Sequence, residues 1–185
     1  MLSLRNLPNF LSILRIFLVP PVVYYMLQES YMPALILFVI AGVTDSLDGW
    51  LAKTFNWQSR LGEILDPLAD KLLLVSSYIV FAWLEHLPIW LVACVFLRDI
   101  IIVAGGVSYR IFFGKVDILP TYISKLNTLM QIVLIATMLV SLALLKINPL
   151  VITTLIWVVF ITTITSGIVY IYLWGNRALI HLRNE

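Results

Sequence analysis

The sequence predicts an all-α integral membrane protein of six transmembrane helices with a short N-terminal interfacial segment, and three observations carry that prediction. Mean hydropathy is +1.02. Only 12% of the 185 residues are charged, where a soluble domain carries roughly a quarter. Several apolar runs exceed the ~18 residues that mark a membrane span.

The elements follow from Pro and Gly punctuation. Met1 to Leu7 reads as the interfacial segment. A first helix over 8–27 opens at Pro8 and runs on without a small-residue cleavage site, so it is a span and not a cleavable signal. Further helices are predicted over 32–54, 59–83, 88–112, 120–145 and 149–174, with Pro33, Pro88, Gly114, Pro120, Pro149 and Gly175 at the boundaries. Trp50, Trp57, Trp83, Trp90 and Trp174 fall near helix ends, as interfacial anchors do. The sixth helix holds Thr153, Thr154, Thr162, Thr163, Thr165, Ser166 and Gly167, small residues suited to close packing or a dimer contact. The lone Cys94 excludes an internal disulfide. The chain reads as one membrane domain, 1–185, with no nucleic-acid partner.

Basic residues set the orientation. Arg5, Lys53, Arg60, Arg110, Lys115, Arg177 and Arg183 fall on one side, against Lys146 on the other beside Glu29, Glu85 and His86. The bias places both termini in the cytoplasm. The short chain and the absence of a transit peptide point to a bacterial inner membrane. Glu85 and His86 read as a solvated outward loop.

Five of the ten acidic residues lie between Thr44 and Lys71: Asp45, Asp48, Glu63, Asp66 and Asp70. Asp45 and Asp48 are i, i+3 neighbours and Asp66 and Asp70 are i, i+4 neighbours, so each pair shares a helix face. A short connection predicts that the second and third helices pack antiparallel, with the two pairs facing across one seam near the cytoplasmic end. Four such carboxylates repel one another. Hard Mg2+, Mn2+ or Ca2+ relieves that repulsion, and Mg2+ shares its sites with substrate phosphates. Four carboxylates suit two ions, an arrangement common in phosphoryl chemistry. Gly49, Ala52 and Gly62 leave room for a ligand close to the backbone, while Lys53 and Arg60 add cations for phosphate. A divalent-cation transporter is the rival reading. It needs polar groups through the outward half, and Ile36 to Gly42 and Val75 to Trp83 supply almost none.

The run Asp45-x2-Asp48-Gly49-x2-Ala52-Lys53-x8-Gly62-x3-Asp66-x3-Asp70 resembles the signature of the CDP-alcohol phosphotransferase family, which has Arg where this chain has Lys53. Lys keeps the charge and loses the planar fork. The resemblance implies a membrane enzyme that transfers the phosphatidyl group of CDP-diacylglycerol to an alcohol, releasing CMP. It implies Asp45, Asp48, Asp66 and Asp70 as ligands of Mg2+ or Mn2+, and Asp70 also as the base for the acceptor hydroxyl. Asp45, Gly49, Ala52, Lys53 and Gly62 would bind the nucleotide, and a homodimer is expected.

The acceptor is read from other polar intramembrane residues. Arg15, Arg98, Asp99, Arg110, Lys125 and Asn127 are expected to line an acceptor wall whose cations suit an anion. The stretches "FLRDIIIVAGGVSYRIFF" and "PTYISKLNTLMQIVLIA" are similar to the CMP-forming cardiolipin synthase branch of the family, which implies phosphatidylglycerol as acceptor. Glycerol 3-phosphate, giving phosphatidylglycerophosphate, stays open as the alternative.

Overall fold

The computed structural model describes residues 7–55, 62–113 and 121–183. They form six α-helices: α1 Leu7–Leu27, α2 Tyr31–Thr54, α3 Gly62–Trp83, α4 Ile89–Phe113, α5 Tyr122–Ala143 and α6 Pro149–Arg183. No strand occurs among the described residues. The protein is therefore an all-α integral membrane protein, as its hydropathy predicts. Five helices are long and apolar enough to cross a membrane, over Phe10–Leu27, Tyr31–Trp50, Ile89–Ser108, Tyr122–Ala143 and Pro149–Asn176. Helix α3 has a similar length but carries Glu63, Asp66, Asp70 and Lys71 in its first half. The expected interfacial segment before Leu7, Trp57, Arg60 and the predicted start of the third helix at 59 lie outside the described residues.

Helix α6 corrects one boundary. It does not stop at 174 but runs through Gly175 to Arg183. A glycine inside a helix costs only about 1 kcal/mol, and Arg177, Ala178 and Leu179 are good helix formers. Trp174 is thus interior to the helix but still lies near the end of its apolar span at Asn176.

Two compact units make up the chain. The first comprises α1, α2, α3 and the C-terminal part of α5; the second comprises α4, the N-terminal part of α5, and α6. In the first unit α1 packs against both α2 and α3, whereas among the described residues α2 and α3 do not pack closely on each other. The two acidic pairs do face a common position, as the sequence predicts, but α1 supplies the surface that each helix meets. Buried residues recur at helical spacing, as Val22 and Met26 on α1, Ala34, Phe38 and Ala41 on α2, and Ala69, Leu73, Tyr78 and Phe81 on α3.

In the second unit α4 packs on α6. Leu91, Val95 and Arg98 form the buried stripe of α4, and Val159, Thr163, Ser166 and Tyr170 that of α6. The approach is close, because a Cβ on Gly105 would stand 2.8 Å from the Trp174 indole. Trp90 meets Trp157 and Phe160 with centroids 5.7 and 5.2 Å apart. Outward residues are large and apolar, with Phe17 72% and Val103 63% exposed, as a lipid-facing surface requires.

Helices α1 and α3 end with the same device. Ser30 N–H donates to the Tyr25 carbonyl and Glu29 N–H to that of Met26; His86 N–H donates to Phe81 and Glu85 N–H to Ala82. Both are Schellman-type caps, and Glu29 and Glu85 sit in the left-handed region at φ 54° and 59°. His86 does lie in the turn after α3, partly exposed, but it has side-chain contacts that the sequence does not show. Its Nε2 lies 2.9 Å from the Tyr31 hydroxyl, and its ring stands edge-on to Tyr31 and Phe81.

Left-handed backbone costs a non-glycine residue about 1–2 kcal/mol. Glu85→Gly should therefore raise the melting temperature in detergent micelles, offset in part by the greater entropy of the unfolded glycine. Glu85→Ala, which keeps the strain, should not raise it.

Candidate active site

A buried arginine organises the acidic residues of the first unit. Arg15 comes from the middle of α1 and is 1% exposed. Its Nη1 lies 2.8 Å from Asp45 Oδ1 and 2.5 Å from Asp70 Oδ1. Its Nη2 pairs with Asp48 Oδ2. One turn earlier on the same face, Ser12 Oγ donates to Asp66 Oδ1. All four aspartates of the sequence motif therefore converge on a Ser-x2-Arg patch of α1.

Local sequence explains the arrangement. The i, i+3 and i, i+4 spacings present each carboxylate pair on one face. Pro67, between Asp66 and Asp70 on α3, has no N–H and so frees a carbonyl one turn earlier. Burial is graded, for Asp48 is 3% exposed while Asp45 and Asp70 keep 43% and 45% of their side-chain surface accessible. The centre is closed at Asp48 and open at Asp45 and Asp70.

Where the sequence suggests divalent ions to relieve the repulsion, the protein also supplies a cation of its own. Burying several like charges requires a counter-charge, and α1 provides it. The sequence places Arg15 in the acceptor wall because it gives the depth of that residue but not its neighbours. Ser12 was not singled out; a hydroxyl three residues before an intramembrane arginine is the signal that could have found it.

Among the described residues no group of three or more His, Cys, Asp or Glu side chains stands ready as a metal cluster. The convergence point is taken by the guanidinium. The donor chemistry still fits a hard divalent cation, because carboxylate oxygens from two helices already reach one common position and Asp45 and Asp70 remain accessible. Gly49 shares a face with Asp45, and a Cβ there would meet no atom within 4 Å. Packing within the protein does not demand that glycine. Gly62 opens α3 and is buried. Ala52 and Lys53 lie in the last turn of α2; their side chains, like that of Arg110 on α4, fall outside the described residues.

The residues expected to form the acceptor wall divide between the units, with Arg15 in the first and Arg98, Asp99, Arg110, Lys125 and Asn127 in the second. Arg98, 5% exposed, is held within its own unit. Its Nη1 donates to Asp99 Oδ1 at 2.7 Å, its Nε to Ser166 Oγ at 3.1 Å and its Nη2 to Ser124 Oγ. Lys125 is exposed, with Nζ 6.0 Å from the centre of the Tyr122 ring. Asn127 is fully buried, and the Thr162 and Thr163 hydroxyls each lie 2.9 Å from its Oδ1. Thr162 and Thr163 of α6 thus meet α5 and Ser166 meets α4, where the sequence predicts close packing or a dimer contact for these small residues.

These features define an all-helical integral membrane protein with a half-open acidic centre built by three helices. The family model for CDP-alcohol phosphatidyltransferases matches residues 5–168, and the chain belongs to that family. It is 36% identical over 152 residues to the cardiolipin synthase (CMP-forming) of Rattus norvegicus, covering 74% of this chain and 50% of that protein. It is 36% identical over 104 residues to the CDP-diacylglycerol–glycerol-3-phosphate 3-phosphatidyltransferase of Aquifex aeolicus, covering 55% and 58%. With the chloroplastic enzyme of that activity from Oryza sativa it shares 34% identity over 183 residues, covering 89% and 56%. The matches thus span between half and three fifths of each relative's length.

The Ser12–Asp66 contact carries its own prediction. A hydrogen bond to a charged group contributes about 1.5–3 kcal/mol, so Ser12→Ala should lower stability by that order in unfolding experiments in micelles, while Ser12→Thr should retain most of it. Equal stability of Ser12→Ala and wild type would contradict the contact.

Proposed function

We propose that the chain transfers the phosphatidyl group of CDP-diacylglycerol to the hydroxyl of an anionic acceptor, phosphatidylglycerol, forming cardiolipin and releasing CMP. The observation that carries this reading is the convergence of Asp45, Asp48, Asp66 and Asp70 on one cation position with Asp45 and Asp70 left accessible. A cation transporter would not need the open space beside Gly49, and family membership supports transfer chemistry.

The four aspartates would hold Mg2+ or Mn2+, two ions by the number of carboxylates. When bound, the metal would neutralise the diphosphate and stabilise the departing phosphate. Asp70 Oδ would take the proton of the acceptor hydroxyl as its oxygen forms a bond to the phosphatidyl phosphorus. The bond from that phosphorus to the bridging oxygen breaks, and CMP leaves with the electron pair. Gly49, together with Asp45, Ala52, Lys53 and Gly62, would admit the nucleotide along α2 and the start of α3. Arg15 would hold the carboxylates together whenever no metal does, so the empty centre does not spring apart.

Similarity to a cardiolipin synthase supports phosphatidylglycerol as acceptor, with Lys125, Arg110 and the Arg98–Asp99 pair in the acceptor region. Glycerol 3-phosphate is the second reading, supported by the two glycerol-3-phosphate phosphatidyltransferases at comparable identity. The excess of Lys and Arg on one side supports a cytoplasmic site and termini, and a bacterial inner membrane and a homodimer complete the proposal.

Purified protein with Mg2+ or Mn2+, CDP-diacylglycerol and phosphatidylglycerol should release CMP and yield a lipid with four acyl chains. A phosphomonoester lipid made only from glycerol 3-phosphate would replace the first reading with the second. No CMP with either acceptor would overturn both. Chelation should stop release, and Asp70→Asn should slow it at least about 10²-fold, the contribution of a positioned base.

A further inference from the structure

The second unit holds two buried amides that its hydrogen bonding leaves incomplete. Asn127 and Gln131 are i, i+4 on α5, 0% and 2% exposed, so they share one face. Asn127 Oδ1 is fixed by Thr162 and Thr163 of α6, which turns its Nδ2 the other way. Neither Asn127 Nδ2 nor Gln131 Nε2 has a partner. A buried donor without an acceptor is costly, the more so in a bilayer that offers no water in exchange. Two such donors lie one helical turn apart on α5.

The chemistry of an acceptor that would fit them is constrained. Amides are neutral donors and suit an uncharged oxygen; a phosphate would be matched by a cation. Depth points the same way. Ser124 opens this face at the level of Arg98, and Gln131 lies seven residues further, about 10 Å along the helix axis. A glycerophospholipid whose charged head lies near the start of α5 carries its ester carbonyls on the hydrocarbon side of its phosphate, which is the direction in which Asn127 and Gln131 succeed Ser124.

We propose that Asn127 and Gln131 form a seat for an ester carbonyl of a diacyl phospholipid, donating to it from Nδ2 and Nε2. The inference rests on the reading of the chain as a phospholipid transferase and adds a subsite to it. The carbonyl could belong to the nucleotide-linked donor or to a lipid acceptor, and both are diacylglycerol esters.

Ether-linked analogues keep the chains and the head and delete the carbonyls. Full-length protein in micelles, without metal and without turnover, would be titrated with diester and diether forms of phosphatidylglycerol and of CDP-diacylglycerol. For one pair the diester should bind about three- to tenfold more tightly, the worth of a hydrogen bond, and the pair that shows it identifies the source. Gln131→Met, near in size and without a donor, should shrink that preference to less than twofold by weakening diester binding alone. Equal affinities in both pairs of wild type, a comparison that needs no variant, would overturn the proposal, as would a preference that Gln131→Met leaves intact. Because binding is read without catalysis, failure of CMP release would sink the transfer reaction and leave this seat standing.

Discussion

A guanidinium that is 1% exposed inside an apolar helix persists only where carboxylates surround it, and carboxylates at that depth persist only where a cation does. Arg15 meets both conditions for the first unit at once. Removing one partner from a buried pair costs about 3–5 kcal/mol, so the contacts of Arg15 with Asp45, Asp48 and Asp70 tie the lie of α1 to the charges on α2 and α3. The consequence is a centre whose carboxylates stand gathered before any substrate arrives. In the proposed transfer reaction that would be preorganisation, with a tethered cation filling a place for which a divalent ion would compete.

Arg15 is also where sequence reading stops short. The four aspartates were legible because helical periodicity alone puts Asp45 with Asp48 and Asp66 with Asp70 on common faces, and because acidic residues in an apolar chain demand an explanation. Their partner was not legible. Which of the intramembrane cations reaches them depends on which helices pack, and here α1 packs on both α2 and α3. The same limit applies to Ser12 and Ser124, polar residues whose partners come from a neighbouring helix.

The spans themselves were read closely, since length and hydropathy are local properties. The exceptions are instructive. Gly175 looks like a stop but lies within α6, because one glycine costs less than the surrounding helix formers and tertiary packing supply. Glu29 and Glu85 hold left-handed caps where glycine is usual, so no composition signal marked those turns. His86 reads as a loop residue by sequence, and it is one, but it also contacts Tyr31 and Phe81.

In the second unit charge is compensated by a different route. Arg98 is satisfied by Asp99, its chain neighbour, and by the hydroxyls of Ser124 and Ser166. One arginine binds its helices through ion pairs to distant carboxylates, the other through hydroxyls that cost little to bury. The first arrangement leaves net negative charge free to meet a cation; the second leaves almost none.

A double-mutant cycle between Arg15 and Asp48 measures the interaction on which the acidic centre rests. Unfolding free energies of wild type, Arg15→Met, Asp48→Asn and the double variant, compared in the same micelles, should give a coupling of about 0.5–3 kcal/mol, with the double variant less destabilised than the sum of the singles. Strict additivity would mean that Arg15 and Asp48 do not hold each other, and that the aspartates are gathered by something else.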